Sequence, residues 1–164
     1  MSYTTPVTDR ILSDVTTPTS KGLFNVADWT RIYGNASHVN GLFTSEAGYT
    51  ISFDTIATPT TTTIPTVATL NILMGNINRM SAWAALYLAD YLTADDLHTL
   101  KSDWAAGLSA VAPDYRDVNL WEQVIDTMYV LLNSWTPPTL SGNLDLGGGG
   151  SLELGGGGYL ELGA

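Results

Sequence analysis

The chain contains no cysteine, two lysines and two histidines in 164 residues. The missing thiols exclude disulfide frameworks, zinc ribbons, iron–sulfur clusters and cysteine nucleophiles. Six Lys+Arg against 16 Asp+Glu leave a formal net charge of −10. That balance opposes both a phosphate-tracking nucleic-acid binder and a polybasic membrane-surface protein. No apolar run reaches the roughly 18 residues that a membrane helix needs. The first residues show no charged segment followed by an apolar core, so no signal peptide is visible and synthesis in the cytoplasm is expected. No GxxxxGK, HExxH, GxSxG or GxGxxG spacing occurs.

What is present is 45% apolar residues with only 13% charged, a composition suited to a packed core. Threonine is abundant at 22 residues, a bias closer to a surface or particle protein than to a cytosolic enzyme. Residues 1–24 read as an extended arm, because Pro6, Pro18 and the threonines around them disfavour continuous helix. Asp9–Val15 has room for one helical turn. Asn25 and Asp28 form a capping pair, and Val26, Trp29, Ile32, Ala36 and Val39 share a stripe, so a helix is expected over 26–40 with Gly41 as its C-cap. Tyr49, Ile51 and Phe53 alternate with polar residues as in a short half-buried strand. Residues 25–57 thus hold a helix plus a short β element, and 58–65 form a Thr-rich linker.

Residues 66–137 predict a helical bundle. Thr66 caps Leu70, Leu73, Ile77 and Met80; Thr93 with Asp96 leads Leu97, Leu100, Trp104 and Leu108; Asp117 caps Trp121 through Trp135, ended by Pro137 and Pro138. Helices joined by short connections are expected to pack antiparallel. The tail, 138–164, is an octad repeat of Leu-acid-Leu and tetraglycine holding ten of the 16 glycines. Leu144, Leu146, Leu152, Leu154, Leu160 and Leu162 fall on one strand face, with Tyr159 beside them. Strands this short cannot bury their leucines alone, so these seven are the expected oligomer or partner contacts, paired between chains with a trimer favoured. A calcium-binding repeat does not fit, because Leu152 stands at the aspartate position and the period is eight. The fold class is therefore mainly α (α+β): a small helical bundle with a short β-strand or hairpin, an extended N-terminal arm and a Gly-rich repetitive β tail.

The search for chemistry yields no catalytic residue, no metal ligand set and no cofactor site. His38 has no serine and acid arranged around it in sequence, and His98 follows Asp95 and Asp96 at an expected helix start. Asp95, Asp96 and Asp103 fit a capped first turn better than paired catalytic acids. Asp114 and Asp117 read as turn and cap residues. Trp29, Trp83, Trp104, Trp121 and Trp135 mostly lie on apolar stripes, which favours core packing over a sugar platform.

The segment Lys21-Gly22-Leu23-Phe24-Asn25-Val26-Ala27-Asp28-Trp29-Thr30-Arg31-Ile32 resembles a recurrent stretch, K-G-x-[YF]-N-x-[ST]-D-[LW]-N-R-[IV], of structural proteins in tailed phages and prophages of Gram-positive bacteria. Asp9-Arg10 and Asp14-Val15 resemble the D-R…D-V upstream of it. Ile64-Pro65-Thr66 matches an I-P-T helix opening, and Tyr115, Asn119, Glu122 and Trp135 match a later helix. Thr30 and Ala27 depart from the pattern, and the tail is more repetitive. The resemblance implies a non-enzymatic virion protein of the tail or baseplate. Such a protein oligomerises and docks neighbouring tail or receptor-binding fibre proteins, without nucleic acid or membrane as partner. Lys21, Gly22, Phe24, Asn25, Asp28, Trp29 and Arg31 are then a structural motif, with Asn25 and Asp28 as cap and Phe24 as a hydrophobic staple. A capsid or neck decoration protein, a carbohydrate-binding adhesin and a glycan hydrolase are the competing classes.

Deleting residues 141–164 is expected to turn an oligomer into monomers while leaving helical circular dichroism largely intact. An unchanged mass by light scattering would show that the repeat is not the oligomer contact.

Overall fold

In the computed structural model the described residues are 2–17, 21, 25–57, 60, 66–88, 97–105, 112–136, 144–145 and 151–152. They are mainly helical. A five-residue α1 (Leu12–Thr16) precedes α2 (Val26–Ser45), α3 (Val67–Tyr87) and α4 (Tyr115–Ser134). Two-residue strands β1 (Leu144–Asp145) and β2 (Ser151–Leu152) pair antiparallel, with Leu144 opposite Leu152. The expected β tail, including Leu146, Leu154, Tyr159, Leu160 and Leu162, otherwise lies outside the described residues, as do Gly22 and the staple residue Phe24.

The three long helices converge on one core. Ile32, Val39 and Phe43 of α2, Leu73, Ile77 and Met80 of α3, and Trp121, Ile125, Met128 and Leu132 of α4 are all buried. All of these except Phe43 are residues that the 3.6-residue spacing placed on the apolar stripes. α2 outruns its expected end: it passes Gly41, which is exposed, and continues to Ser45. Phe43 extends the Ile32–Ala36–Val39 stripe by one more turn, and its burial outweighs the roughly 1 kcal/mol that a helical glycine costs. The reversal falls at Gly48, the described glycine with positive φ (72°), and the Tyr49 N–H then donates to the Phe43 carbonyl at 2.9 Å.

The helices run parallel, contrary to the antiparallel packing expected from short connections. Phe43 near the end of α2 meets Trp83 near the end of α3, with ring centres 5.2 Å apart. Tyr3 reaches His38 of α2 and Tyr129 of α4 together, while Arg10 reaches Asp28 and Glu122 near their starts. The connections are long because each one returns along the helices as a non-helical strap. Residues 2–10, 49–56 and 97–104 are the three straps. Two sequence expectations are corrected here. Tyr49, Ile51 and Phe53 are not a strand, although the alternation is real, for Ile51 and Phe53 face inward and Thr50, Ser52 and Asp54 face solvent. Leu97–Trp104 is not helix, although Leu100 and Trp104 are buried.

Each strap is pinned by asparagine side chains on a helix. The Asn76 carboxamide accepts from Asp54 N–H at 2.9 Å and donates to Asp54 C=O at 2.8 Å. Asn78 grips Leu100 in the same two-bond way (2.7 and 2.8 Å), and Asn71 grips Trp104 (2.9 and 3.0 Å). Asn35 grips Thr4 (2.9 and 2.7 Å), and Asn119 grips Arg10 (3.2 and 2.8 Å). A carboxamide carries one acceptor and two donor hydrogens, so it pairs with a peptide group as a neighbouring strand would.

Asn76 is fully buried. Asn76→Ala leaves the Asp54 peptide group without its partner and is expected to cost about 1–3 kcal/mol in urea unfolding. Asn76→Asp, which keeps the acceptor and loses the donor, is expected to destabilise as well. A loss within about 0.5 kcal/mol would show that the strap is not held at this point.

Candidate functional site

The site with the most concentrated electrostatics lies near the starts of α2 and α4. Asn25 caps α2: its Oδ1 accepts from Ala27 N–H at 2.8 Å, and Asp28 Oδ2 accepts from Asn25 N–H at 3.0 Å. This is the expected capping box. Asp114, rather than Asp117, caps α4, with Asp117 as the reciprocal residue that binds Asp114 N–H at 2.8 Å. The α4 helix begins one turn earlier than expected because Tyr115 and Arg116 extend it toward Pro113.

Asp28 has a second role. Its Oδ1 accepts from Arg31 Nη2 at 2.7 Å and from Arg10 Nη2 at 3.0 Å. Glu122 of α4 receives Arg31 through both oxygens, Nε at 2.9 Å and Nη2 at 2.7 Å, and Arg10 Nη2 at 2.9 Å. Its Oε2 also accepts from Val7 N–H at 2.8 Å. The side chains of Arg10 and Glu122 are 3% and 1% exposed, so this is an interior cluster. Arg10 further donates to Asn119 Oδ1 (3.3 Å), to Lys21 C=O (3.2 Å) and to Val7 C=O. Two guanidinium groups face two carboxylates, so the buried charge cancels. The hydrogen bonds that Arg31 donates to Glu122, and then the one to Asp28, hold it even more firmly protonated than usual against the opposing effect of burial.

The cluster unites several residues singled out in sequence. Asn25, Asp28 and Arg31 belong to it directly, and Lys21 contributes a backbone carbonyl. The Lys21 side chain pairs instead with Asp9 at 2.8 Å and Asp14 at 3.9 Å, and this pulls the Asp9 carboxyl below its ordinary range. Trp29 packs in the core. Arg10, Asn119 and Glu122 entered the sequence reading only through the resemblance. Their signal was local: Glu122 is a charge flanked by Trp121 and Val124 on the most amphipathic helix.

Chemically, both carboxylates are spent on guanidinium groups, which leaves neither as a general base. Asp103 is exposed and paired with Lys101 at 2.9 Å, which lowers its carboxyl, and His98 is exposed. Asp95 and Asp96 lie outside the described residues. No group of three or more His, Asp or Glu arranged to hold a metal ion occurs among the described residues. Trp29, Trp104 and Trp121 are buried, and Trp83 is half-buried against Tyr49 (4.5 Å) and Tyr87 (4.7 Å), both of which are exposed. Among the described residues no helix is long and apolar enough to cross a membrane.

Glu122→Ala leaves the buried Arg10 and the partly buried Arg31 sharing Asp28 alone, and is expected to cost about 3–5 kcal/mol in denaturant unfolding. A loss below about 1 kcal/mol would show that water reaches the cluster. Tyr3 supplies a pH test. Its hydroxyl donates to Asp126 at 2.7 Å, and burial, reinforced by that bond, pushes its pKa up. A raised folded-state value gives stability that is whole below the unfolded phenol value of about 10 and fades as pH climbs above it. The wild-type midpoint is expected to fall more steeply above about pH 10 than that of Tyr3→Phe. Parallel curves would show that Tyr3 is not the titrating group.

Comparison with protein families, with curated proteins and with solved structures finds no match to this chain.

Proposed function

We propose that the chain is a non-enzymatic structural component of a tailed-phage virion, in the tail or baseplate, which assembles with copies of itself and docks neighbouring tail or receptor-binding proteins. One observation carries this reading. Of the residues that bear the resemblance, Arg10, Asp28, Arg31, Asn119 and Glu122 meet around the buried Arg10–Glu122 pair, with Asn25 bound at its edge through Asp28, although Arg10 and Glu122 stand 112 positions apart. A sequence signature built from such residues specifies a scaffold, since none is left free to react. The exposed Ile11, Leu12 and Val15 of the N-terminal segment offer surface for neighbours, and the leucine repeat is the contact expected from the sequence of the tail.

Two measurements test the reading. The purified chain is expected to be oligomeric by light scattering, and an antibody against it is expected to label the tail end of phage particles. Labelling on the head would favour a capsid or neck decoration protein. A monomeric chain absent from particles by mass spectrometry would remove the assembly role.

The Tyr49–Trp83–Tyr87 cluster favours a second reading, an adhesin module that stacks sugar rings on aromatic faces. That reading expects retardation in gels containing host surface polysaccharide, lost in Tyr87→Ala.

A further inference from the structure

The N-terminal strap occupies the groove between α2 and α4 as a bound peptide does. Among the described residues, no backbone–backbone hydrogen bond joins residues 2–10 to a helix. Each bond across the groove among the described residues uses a helix side chain: Asp126 with Tyr3, Asn35 with Thr4, Glu122 with Val7, Gln123 with Thr8, Asn119 with Arg10, and Asp28 and Glu122 with the Arg10 guanidinium. Asp9, Arg10, Ile11, Asp14 and Lys21 are meanwhile tied to one another. Arg10 Nε donates to Lys21 C=O, Lys21 pairs with Asp9 and Asp14, and Ile11 N–H donates to Asp14. Strap and α1 therefore form one unit, joined to α2 through Gly22-Leu23-Phe24, which lie outside the described residues.

The groove cannot stand empty at low cost. Without Arg10, the buried Asp28 and Glu122 face Arg31 alone, one charge short. α1, in contrast, buries none of its residues, and Ile11, Leu12 and Val15 are 58%, 59% and 44% exposed. A five-residue helix is not held by its own hydrogen bonds, so its apolar side chains remain available for a second surface.

We infer that the strap unit is exchanged between copies, so that Arg10 of one chain completes the Asp28–Arg31–Glu122 cluster of another. This inference rests on the assembly reading and names its contact. The closed and exchanged forms make the same groove contacts, so chain concentration and the packing of α1 against its neighbour decide between them. The required occupant is an extended segment with a tyrosine and an arginine seven positions apart, as in Tyr3 and Arg10, and a second copy of this chain supplies it.

The absence of native cysteine makes a clean test on the full chain. Gln123 Nε2 lies 3.5 Å from the Thr8 carbonyl, across the groove. The double variant Thr8→Cys/Gln123→Cys reports whether the strap is seated. Thr8→Cys and Gln123→Cys, made separately, mixed, unfolded, refolded together and oxidised, report exchange. The expected result is a covalent heterodimer in the mixture, with the 8–123 link identified by peptide mass spectrometry and absent from either variant alone. Adding Leu12→Ser/Val15→Ser is expected to lower its yield several-fold, and an unchanged yield would overturn the role of α1. A double variant that links only within its own chain, with no heterodimer from the mixture, would overturn exchange. A double variant that does not link at all would overturn the seating on which exchange depends. Failure of exchange in a chain that is still oligomeric by mass leaves the assembly reading standing, whereas a monomeric mass removes both.

Discussion

A carboxamide facing a peptide group is the interaction on which this architecture depends. Parallel helices cannot be joined by short turns, because the chain must travel back the full length of each helix before starting the next. A return segment has no strand beside it, so its backbone donors and acceptors need other partners. Asn35, Asn71, Asn76, Asn78 and Asn119 provide them, each from a helix and each with a donor and an acceptor aimed at one residue. A glutamine would place the same group one methylene farther out, and an aspartate would lose the donor. Because Asn71, Asn76 and Asn78 all stand on α3, that helix organises two straps at once.

Parallel helices also bring like ends of their dipoles together, with unsatisfied N–H groups clustered at one end of the bundle. The chain answers with side-chain oxygens: Asn25 and Asp28 at α2, Thr66 at α3, Asp114 and Asp117 at α4. Asp28 then serves twice, as a cap residue through one oxygen and as an ion-pair partner through the other. The buried cluster costs desolvation, and its net contribution to stability is small beside that of the apolar core. Its value is in specification. It fixes the register of the strap, because Arg10 is the strap residue that reaches both carboxylates.

At the Arg10–Glu122 cluster the polar side chains hold the strap in place. The buried charges neutralise one another, the strap reads as a bound ligand, and the apolar surface at α1 faces solvent. On the proposed assembly reading, these are features of a part whose ends are shared between subunits.

The amphipathic helices were legible from sequence. Stripes such as Trp121–Ile125–Met128–Leu132 bury themselves wherever the helix packs, and the Asn25–Asp28 cap is local in sequence. Apolar positions in the returning segments were also legible, Phe53 and Trp104 among them, but not their conformation. Alternation and helical spacing report which side chains turn inward, not what their backbone binds. The helix-borne asparagines carried a faint signal, polar residues interrupting the apolar run of α3, yet their partners lie 22 or 33 positions away. The sequence by itself determined three long helices, the caps at Asn25 and Thr66, and a composition without thiols. Only the tertiary structure decided that the helices run parallel, that asparagines clamp the straps, and that Arg10 meets Glu122. Those outcomes depend on pairings across the bundle, and no local pattern encodes the partner of a buried polar group.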